Sequence, residues 1–134
     1  MRRAIPLLCL VALLVTGCAG AGDIVVNERT VAGAFSLELF EGGGYYLHKR
    51  GQDDSSQGGS VIGGTVQRLG WSSNYIVAER HAIARSDPDG WMIIDVKSGA
   101  ISGPFSDAEF WARPEVQGIQ IYMMKEAWKR LSLR

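Results

Sequence analysis

The chain has 134 residues, which is enough for one domain and no more. It is 46% hydrophobic and 21% charged, and its 14 basic residues balance 14 acidic ones. This balance lacks the strongly basic signature of nucleic-acid-binding domains, and we expect no nucleic-acid partner.

The first segment has the order of a secretory signal peptide. Arg2 and Arg3 form a basic start, Ala4 to Val15 is an apolar stretch of 12 residues, and small residues follow. The uncharged run from Ala4 to Gly22 has 19 residues, but it contains Pro6 and ends in Thr, Gly, Cys and Ala. Its apolar part is too short to span about 30 Å of hydrocarbon. We therefore expect a leader that is removed, not a transmembrane helix.

The leader ends in VTGC, Val15 to Cys18, which resembles the lipobox of bacterial lipoproteins. The resemblance implies a diacylglyceryl group on the thiol of Cys18, cleavage between Gly17 and Cys18, and acylation of the new amino group. Two or three acyl chains anchor more firmly than one, since each buried CH₂ contributes about 0.8 kcal/mol. Ala19, rather than Asp, follows the cysteine, which favours the outer membrane, facing the periplasm, in a host with two membranes. The alternative is an ordinary signal peptide with an incidental cysteine.

The only other cysteine, Cys9, lies in the leader, so the mature chain could form no internal disulfide. Without the leader, 12 basic residues stand against 14 acidic ones, a net charge of −2. The predicted organisation is a signal peptide over residues 1–17, a lipidated cysteine and tether over residues 18–31, and one small domain over residues 32–134.

From Ala32 onward the apolar residues recur mostly with a period of two, which is typical of β-strands. Phe35 to Lys49 predicts a hairpin, because FSLELF alternates, EGGG is suited to a turn and YYLHK returns. Gly51 to Ser60 has no apolar residue and predicts a solvated loop. Further strands are predicted over Val61 to Leu69, Tyr75 to Arg80, Trp91 to Val96 and, as a short edge strand, Ile101 to Phe105.

Two of these strands carry additional predictions. Gly63 and Gly64 interrupt a strand pattern, which indicates a bulge or the close approach of another backbone. WMIIDV, Trp91 to Val96, has four apolar residues before its first charge. It therefore predicts a central strand that is buried on both faces.

The last part of the chain predicts helix. SDAE, Ser106 to Glu109, is a capping box that begins a helix, and Pro114 ends or kinks that helix and can start the next. Apolar residues at helical spacing favour a helix over residues 115–131, while alternation through Ile119, Ile121 and Met123 favours a strand instead. Strands followed by helices predict the α+β class: an antiparallel β-sheet meander with a C-terminal helix or helices packed on one face.

The region from Val61 to Phe110 resembles an uncharacterised family of small bacterial lipoproteins and secreted proteins. The residues that carry the resemblance are Tyr75 to Ala78, Trp91 to Asp95, Lys97 to Gly99, Gly103 to Pro104, and Glu109 to Phe110. The resemblance supports a lipoprotein and implies no particular activity. The Pro114 break and the aromatic-rich tail depart from the family pattern.

No constellation in the sequence predicts catalysis, a metal or a cofactor. His48 and His81 are the only histidines, and a zinc site needs three or four ligands. The serines lie mainly in loops and outside any Gly-x-Ser-x-Gly elbow, and the adjacent carboxylates Asp53 and Asp54 lie in the polar loop. The glycine-rich segments and DPDG are typical of turns rather than of phosphate or calcium loops.

Tryptophan is the one residue type that suggests a contact role. Trp91 and Trp128 are predicted to lie in the core, whereas Trp71 lies in a glycine-flanked turn and is the candidate for contact with a ligand or partner. The tail from Lys125 to Arg134 has a charge of +3, and we interpret it as a solvated helix face rather than a lipid-binding one.

The leading hypothesis is a lipid-anchored, non-enzymatic envelope module whose partner is another envelope component, expected to be a protein. The alternative is an inhibitor or immunity protein that blocks a cell-wall-active or toxin enzyme. A small hydrolase is a third hypothesis, which would require His48 or His81 to lie beside a buried serine or aspartate.

Overall fold

The computed structural model describes residues 25–51 and 60–132. Their strands form two antiparallel sheets, one of three strands in the order β1-β2-β3 and one of five in the order β7-β6-β5-β4-β8. The strands are β1 (Val25–Ala32), β2 (Phe35–Phe40), β3 (Tyr45–Lys49), β4 (Gly64–Trp71), β5 (Tyr75–Ala82), β6 (Gly90–Asp95), β7 (Ile101–Phe105) and β8 (Ile121–Met123). The helical segments are α1 (Asp107–Trp111), a 3₁₀ helix (Pro114–Val116) and α2 (Met124–Leu131). The predicted α+β class is confirmed.

The larger core lies between the two sheets. Phe35, Leu37 and Leu47 of the small sheet are fully buried against the inner face of the large sheet, which presents Leu69, Ile76 and Ile94 among others. One face of α2 completes this core with Met124, Ala127 and Leu131. The tail from Lys125 to Arg134 was predicted to form a solvated face, and its charged residues Lys125, Glu126, Lys129 and Arg130 are exposed.

A smaller core covers part of the outer face of the large sheet, which is the face turned away from the small sheet. Val77, Trp91 and Ile93 of the strands pack there against Phe110 of α1 and Val116 of the 3₁₀ helix. Because Met92 and Ile94 point into the larger core, β6 is buried on both faces, as its apolar run predicts. The helical segments therefore lie on both sides of the large sheet.

The local predictions that rest on turn chemistry are confirmed. The hairpin has Leu37 opposite Leu47. Ser106 accepts a hydrogen bond from the Glu109 backbone N–H, and the Glu109 carboxylate accepts one from the Ser106 backbone N–H. Gly64 is a point of close backbone approach, because a Cβ there would lie 2.3 Å from the carbonyl oxygen of His81. The shift in register between β4 and β5 lies at Gln67, between Val66 and Arg68, and not at the two glycines.

Several predictions about boundaries and sheet organisation differ from the structure. The strand expected over Val61 to Leu69 is β4, Gly64–Trp71, which includes two residues that were expected to lie in the following turn. The tether was expected to reach residue 31, but β1 begins at Val25 and pairs with β2, so the folded part starts earlier. Residues 121–123 are a strand and α2 begins only at Met124, so the single helix over residues 115–131 is wrong and the strand alternative holds for Ile121 to Met123. The strands also divide between two sheets rather than forming one.

Several predictions fall outside the described residues. They concern the signal peptide, the lipidated Cys18, Asp53 with Asp54, and the loop over residues 52–59. Ser60, at the end of that loop, is buried, and its hydroxyl donates to the Gly64 carbonyl at 2.9 Å.

No helix within residues 25–51 and 60–132 combines the length and the apolar character needed to cross a membrane.

Candidate functional site

A row of side chains crosses the outer face of the large sheet next to α1. The strand register places Arg68 between Met123 and Glu79, and continues from Glu79 to Trp91 and from Trp91 to Phe105. Residues directly opposite each other in antiparallel strands point to the same face and are in contact distance. Across the five strands this face therefore carries Met123, then the charged pair Arg68 and Glu79, then the aromatic pair Trp91 and Phe105.

Trp91 is the buried centre of this row. Its indole ring is stacked on Phe110 of α1, with ring centroids 4.0 Å apart and planes 8° from parallel. The indole Nε1 donates a hydrogen bond to Oδ1 of Asp107 at 2.7 Å, which satisfies its polar atom. The guanidinium carbon of Arg68 lies 4.7 Å from the Trp91 ring centroid, a cation–π distance. These contacts fix the position of α1 on the sheet.

Trp111 extends from this buried centre into solvent. Its ring meets the rings of Trp91 and Phe110 edge-on, at 6.2 Å and 5.0 Å between centroids, and the residue is 51% exposed. The helical position explains the exposure, because neighbouring residues on an α-helix point about 100° apart. Phe110 is fully buried, so Trp111 has to lie at the edge of the core.

The charged groups around Trp91 are held in defined positions. Nε of Arg68 lies 2.5 Å from Oε2 of Glu79, and the two side chains are 35% and 30% exposed. The hydrogen bond with Glu79 is the main cause that raises the pKa of Arg68, and the charges of Glu79 and Asp107 add to it. A pair this exposed contributes little to stability, so its significance is that it orients the guanidinium.

We define the docking surface as Arg68, Glu79, Asp107 and Trp111, supported from below by Trp91. Tryptophan and arginine are the residue types most enriched among those that dominate binding energy at protein–protein interfaces. Here both are positioned in advance by buried neighbours, which reduces the entropy lost on binding. The geometry suits recognition of a protein surface.

The predicted contact residue, Trp71, lies elsewhere. It ends β4 and is half-buried on the inner face, where its ring is 5.5 Å from that of Tyr122 and packs against the larger core. The tryptophan with the large exposed surface is Trp111, at 51%, and the sequence pattern did not single it out. The capping box offered a signal: it places Phe110 and Trp111 side by side on α1, and only one of two neighbours can face the sheet.

The two histidines lie in different sheets. His48 is half-buried in β3 and lies directly opposite Ser36 of β2, which is fully buried, so His48 is the histidine beside a buried serine. His81 is exposed near the end of β5. Nδ1 of His81 lies 3.0 Å from Oδ2 of Asp89, and the Ala82 backbone N–H donates to Oδ1 of the same carboxylate at 2.8 Å. The hydrogen bond from Ala82, followed by that from His81, lowers the pKa of Asp89.

This His81–Asp89 pair does not meet the condition set for a hydrolase. Both side chains are exposed, and the described residues that line the hollow around them include no serine, threonine or cysteine. A nucleophile next to the base is the feature that such catalysis needs. Within the two described ranges, no three His, Cys, Asp or Glu side chains lie close enough together to hold a metal ion.

Comparison with known proteins gives no match to a family model, a curated protein or a solved structure. The resemblance to small bacterial lipoproteins therefore stays a prediction.

Proposed function

We propose that this chain is a membrane-anchored lipoprotein of a bacterial cell envelope that binds a protein partner through the docking surface and has no enzymatic activity of its own. The observation that carries the binding role is Trp111, which is half-exposed yet held against buried Trp91 and Phe110. Arg68, which lies over the ring of Trp91, is oriented by Glu79. An exposed aromatic ring and a fixed guanidinium are suited to a specific protein contact.

The sequence of the leader supports the anchor. Arg2 and Arg3, the apolar stretch and VTGC stand in the order of a lipoprotein signal. From Cys18 to Val25 the chain advances seven residues, which span at most about 25 Å. The domain would therefore stay within about one bilayer thickness of the lipid surface.

The arrangement of the layers is compatible with both roles. The strand that follows the proposed anchor, β1, belongs to the small sheet, whereas the docking surface lies on the outer face of the large sheet. The two sheets pack with the larger core between them. The strand β1 and the docking surface thus belong to different sheets, so the docking surface is not on the sheet that carries the start of the folded chain.

The anchor is tested by intact-mass measurement of the protein purified from its native host. We expect a chain that begins at Cys18 and carries a diacylglyceryl group, with further mass if the amino group is acylated. An unmodified amino terminus, or a chain that retains the leader, would contradict the anchor and the envelope location.

The docking surface is tested by placing a photo-crosslinking amino acid at position 111 in living cells. We expect one discrete protein adduct, and none from the same group at Ile83, which is also exposed but lies in the β5–β6 loop. Once the partner is purified, Trp111→Ala should weaken its binding by about thirtyfold or more, as for a dominant interface residue. Ile83→Ala should have no effect.

Two outcomes would change this interpretation. Equal adducts from positions 111 and 83, formed with abundant envelope proteins, would contradict a specific docking surface. If the partner is a cell-wall hydrolase or a toxin whose activity is lost on binding, the inhibitor or immunity alternative replaces the structural one while the surface stands.

A further inference from the structure

An apolar groove opens between the two sheets at the edge where β8 pairs with β4. It lies where the turn between β2 and β3 faces β4, β8 and the first residues of α2, and it encloses about 400 Å³. Its apolar walls are formed by Tyr45, Val66, Met123 and Met124. Cavities of this size with mostly apolar walls and a few polar groups are typical of small-molecule sites.

The composition of the groove indicates the kind of ligand. Among the residues that the structure describes, Lys125 is the only charged one that lines it, and Thr65 and Gln67 add polar groups. Glu126, the neighbouring residue, is paired with Arg130 at 2.9 Å, and Lys125 forms no ion pair among the described residues. Methionine side chains are flexible and polarizable, so Met123 and Met124 can adapt to an apolar chain.

The volume limits the length of that chain. At roughly 30 Å³ for each water-sized group, 400 Å³ holds about a dozen non-hydrogen atoms. A saturated chain of about ten carbons with a carboxylate head has this size. Its chain would contact the apolar walls and its head would approach the ammonium group of Lys125.

We propose that this groove is a binding site for a medium-chain fatty acid anion, with Lys125 contacting the carboxylate. The site shares no residue with the docking surface and does not depend on the lipid anchor. Its failure would therefore leave the proposed function standing, and the reverse also holds.

The test is isothermal titration of the full exported chain carrying Cys18→Ser, which can bear no thioether-linked lipid. Decanoate should bind saturably at one site. Lys125→Gln should weaken decanoate about threefold to fivefold, the size expected of an exposed ion pair, and should not change binding of uncharged decan-1-ol. Lys129→Gln is the matched control, since it removes the same charge from the same helix outside the groove.

A second pair of variants tests the apolar wall. Met123→Glu should weaken decanoate by about tenfold or more, because it replaces an apolar contact with a charge that repels the carboxylate. Ile83→Glu alters a similarly exposed residue outside the groove and should have no effect. The side chain of Met123 is 65% exposed, so the variant should fold, and its thermal unfolding temperature is measured as a check.

Chain length separates a bounded groove from adsorption to open apolar surface. From hexanoate to decanoate the affinity should rise about threefold to fourfold for each CH₂, then level off beyond about ten carbons. The absence of saturable binding, a continued rise through hexadecanoate, or equal losses in the test and control variants would overturn the proposal.

Discussion

Replacing Phe110 with alanine tests whether the smaller core holds α1 on the large sheet. Phe110 is fully buried, and its ring lies 4.0 Å from that of Trp91. Truncation of a buried phenylalanine removes its apolar contacts and leaves a cavity, which costs about 3 to 5 kcal/mol. A domain of this size has a total stability of about 5 to 15 kcal/mol, so the variant should remain folded with much of its stability lost.

Two companion variants separate the contributions. Phe110→Leu keeps an apolar side chain but loses the stacked ring, and is expected to cost about 1 to 2 kcal/mol. Trp111 is about half-buried; roughly 100 Å² at about 25 cal/mol per Å² gives an upper limit of about 2.5 kcal/mol for Trp111→Ala. The expected order of destabilisation is therefore Phe110→Ala, then the other two.

The assay is urea unfolding followed by far-ultraviolet circular dichroism, since all three substitutions remove a tryptophan or alter the environment of one and would disturb a fluorescence signal. The dependence of the free energy on denaturant should be unchanged if the variants unfold in one step. A loss below about 1 kcal/mol for Phe110→Ala would refute the view that this cluster is a packed core. A larger loss for Trp111→Ala than for Phe110→Ala would refute the division into support and contact residues.

Two further predictions concern backbone approach and pH. Gly64→Ala should lower the free energy of unfolding by about 1 to 3 kcal/mol, because its Cβ would lie 2.3 Å from the His81 carbonyl oxygen. The control is Gly42→Ala, whose Cβ would meet nothing within 4 Å. Both variants are compared by thermal unfolding, and equal losses of stability would contradict the steric explanation. The hydrogen bond from the Ser106 backbone N–H lowers the pKa of Glu109, so its stabilisation is present above the ordinary pKa of about 4.3 and is lost as the pH falls through the lowered value. Glu109→Gln should therefore narrow the difference in melting temperature between about pH 7 and about pH 3, and an unchanged difference would argue against the carboxylate contact.

Features that depend on a few neighbouring residues could be predicted from the sequence. The hairpin from Phe35 to Lys49 and the capping box at Ser106 are examples, because alternation, turn glycines and cap side chains act over short distances. The apolar run of β6 also predicted burial on both faces correctly.

The boundaries that were missed depend on distant partners. Residues 119–124 fit both a helical and an alternating pattern, and the choice is made by β4, where Gly70 pairs with Ile121. A Cβ at Gly70 would lie 2.8 Å from the Gln120 carbonyl oxygen, so this approach requires glycine. The strand Val25–Ala32 has mixed polarity and is defined by its pairing with β2.

The docking surface could be predicted only in part. The sequence indicated that a tryptophan would make a contact, but the choice between Trp71 and Trp111 depends on which face of the large sheet each ring occupies. That choice follows from the packing of Tyr122 beside Trp71 and of Phe110 beneath Trp111. Tyr122 and Phe110 both lie far along the chain from the glycine-flanked turn that suggested Trp71.

The junction at Met123 has a mechanical consequence. This residue ends β8, paired with Arg68, and is also the residue from which α2 begins. Because no linker separates the strand from the helix, a tilt of α2 cannot be absorbed by a hinge and has to pull on the edge of the sheet. An occupant that pushes against Met124 would thus act on Arg68 through Met123, which is the next residue along the chain and the strand partner of Arg68.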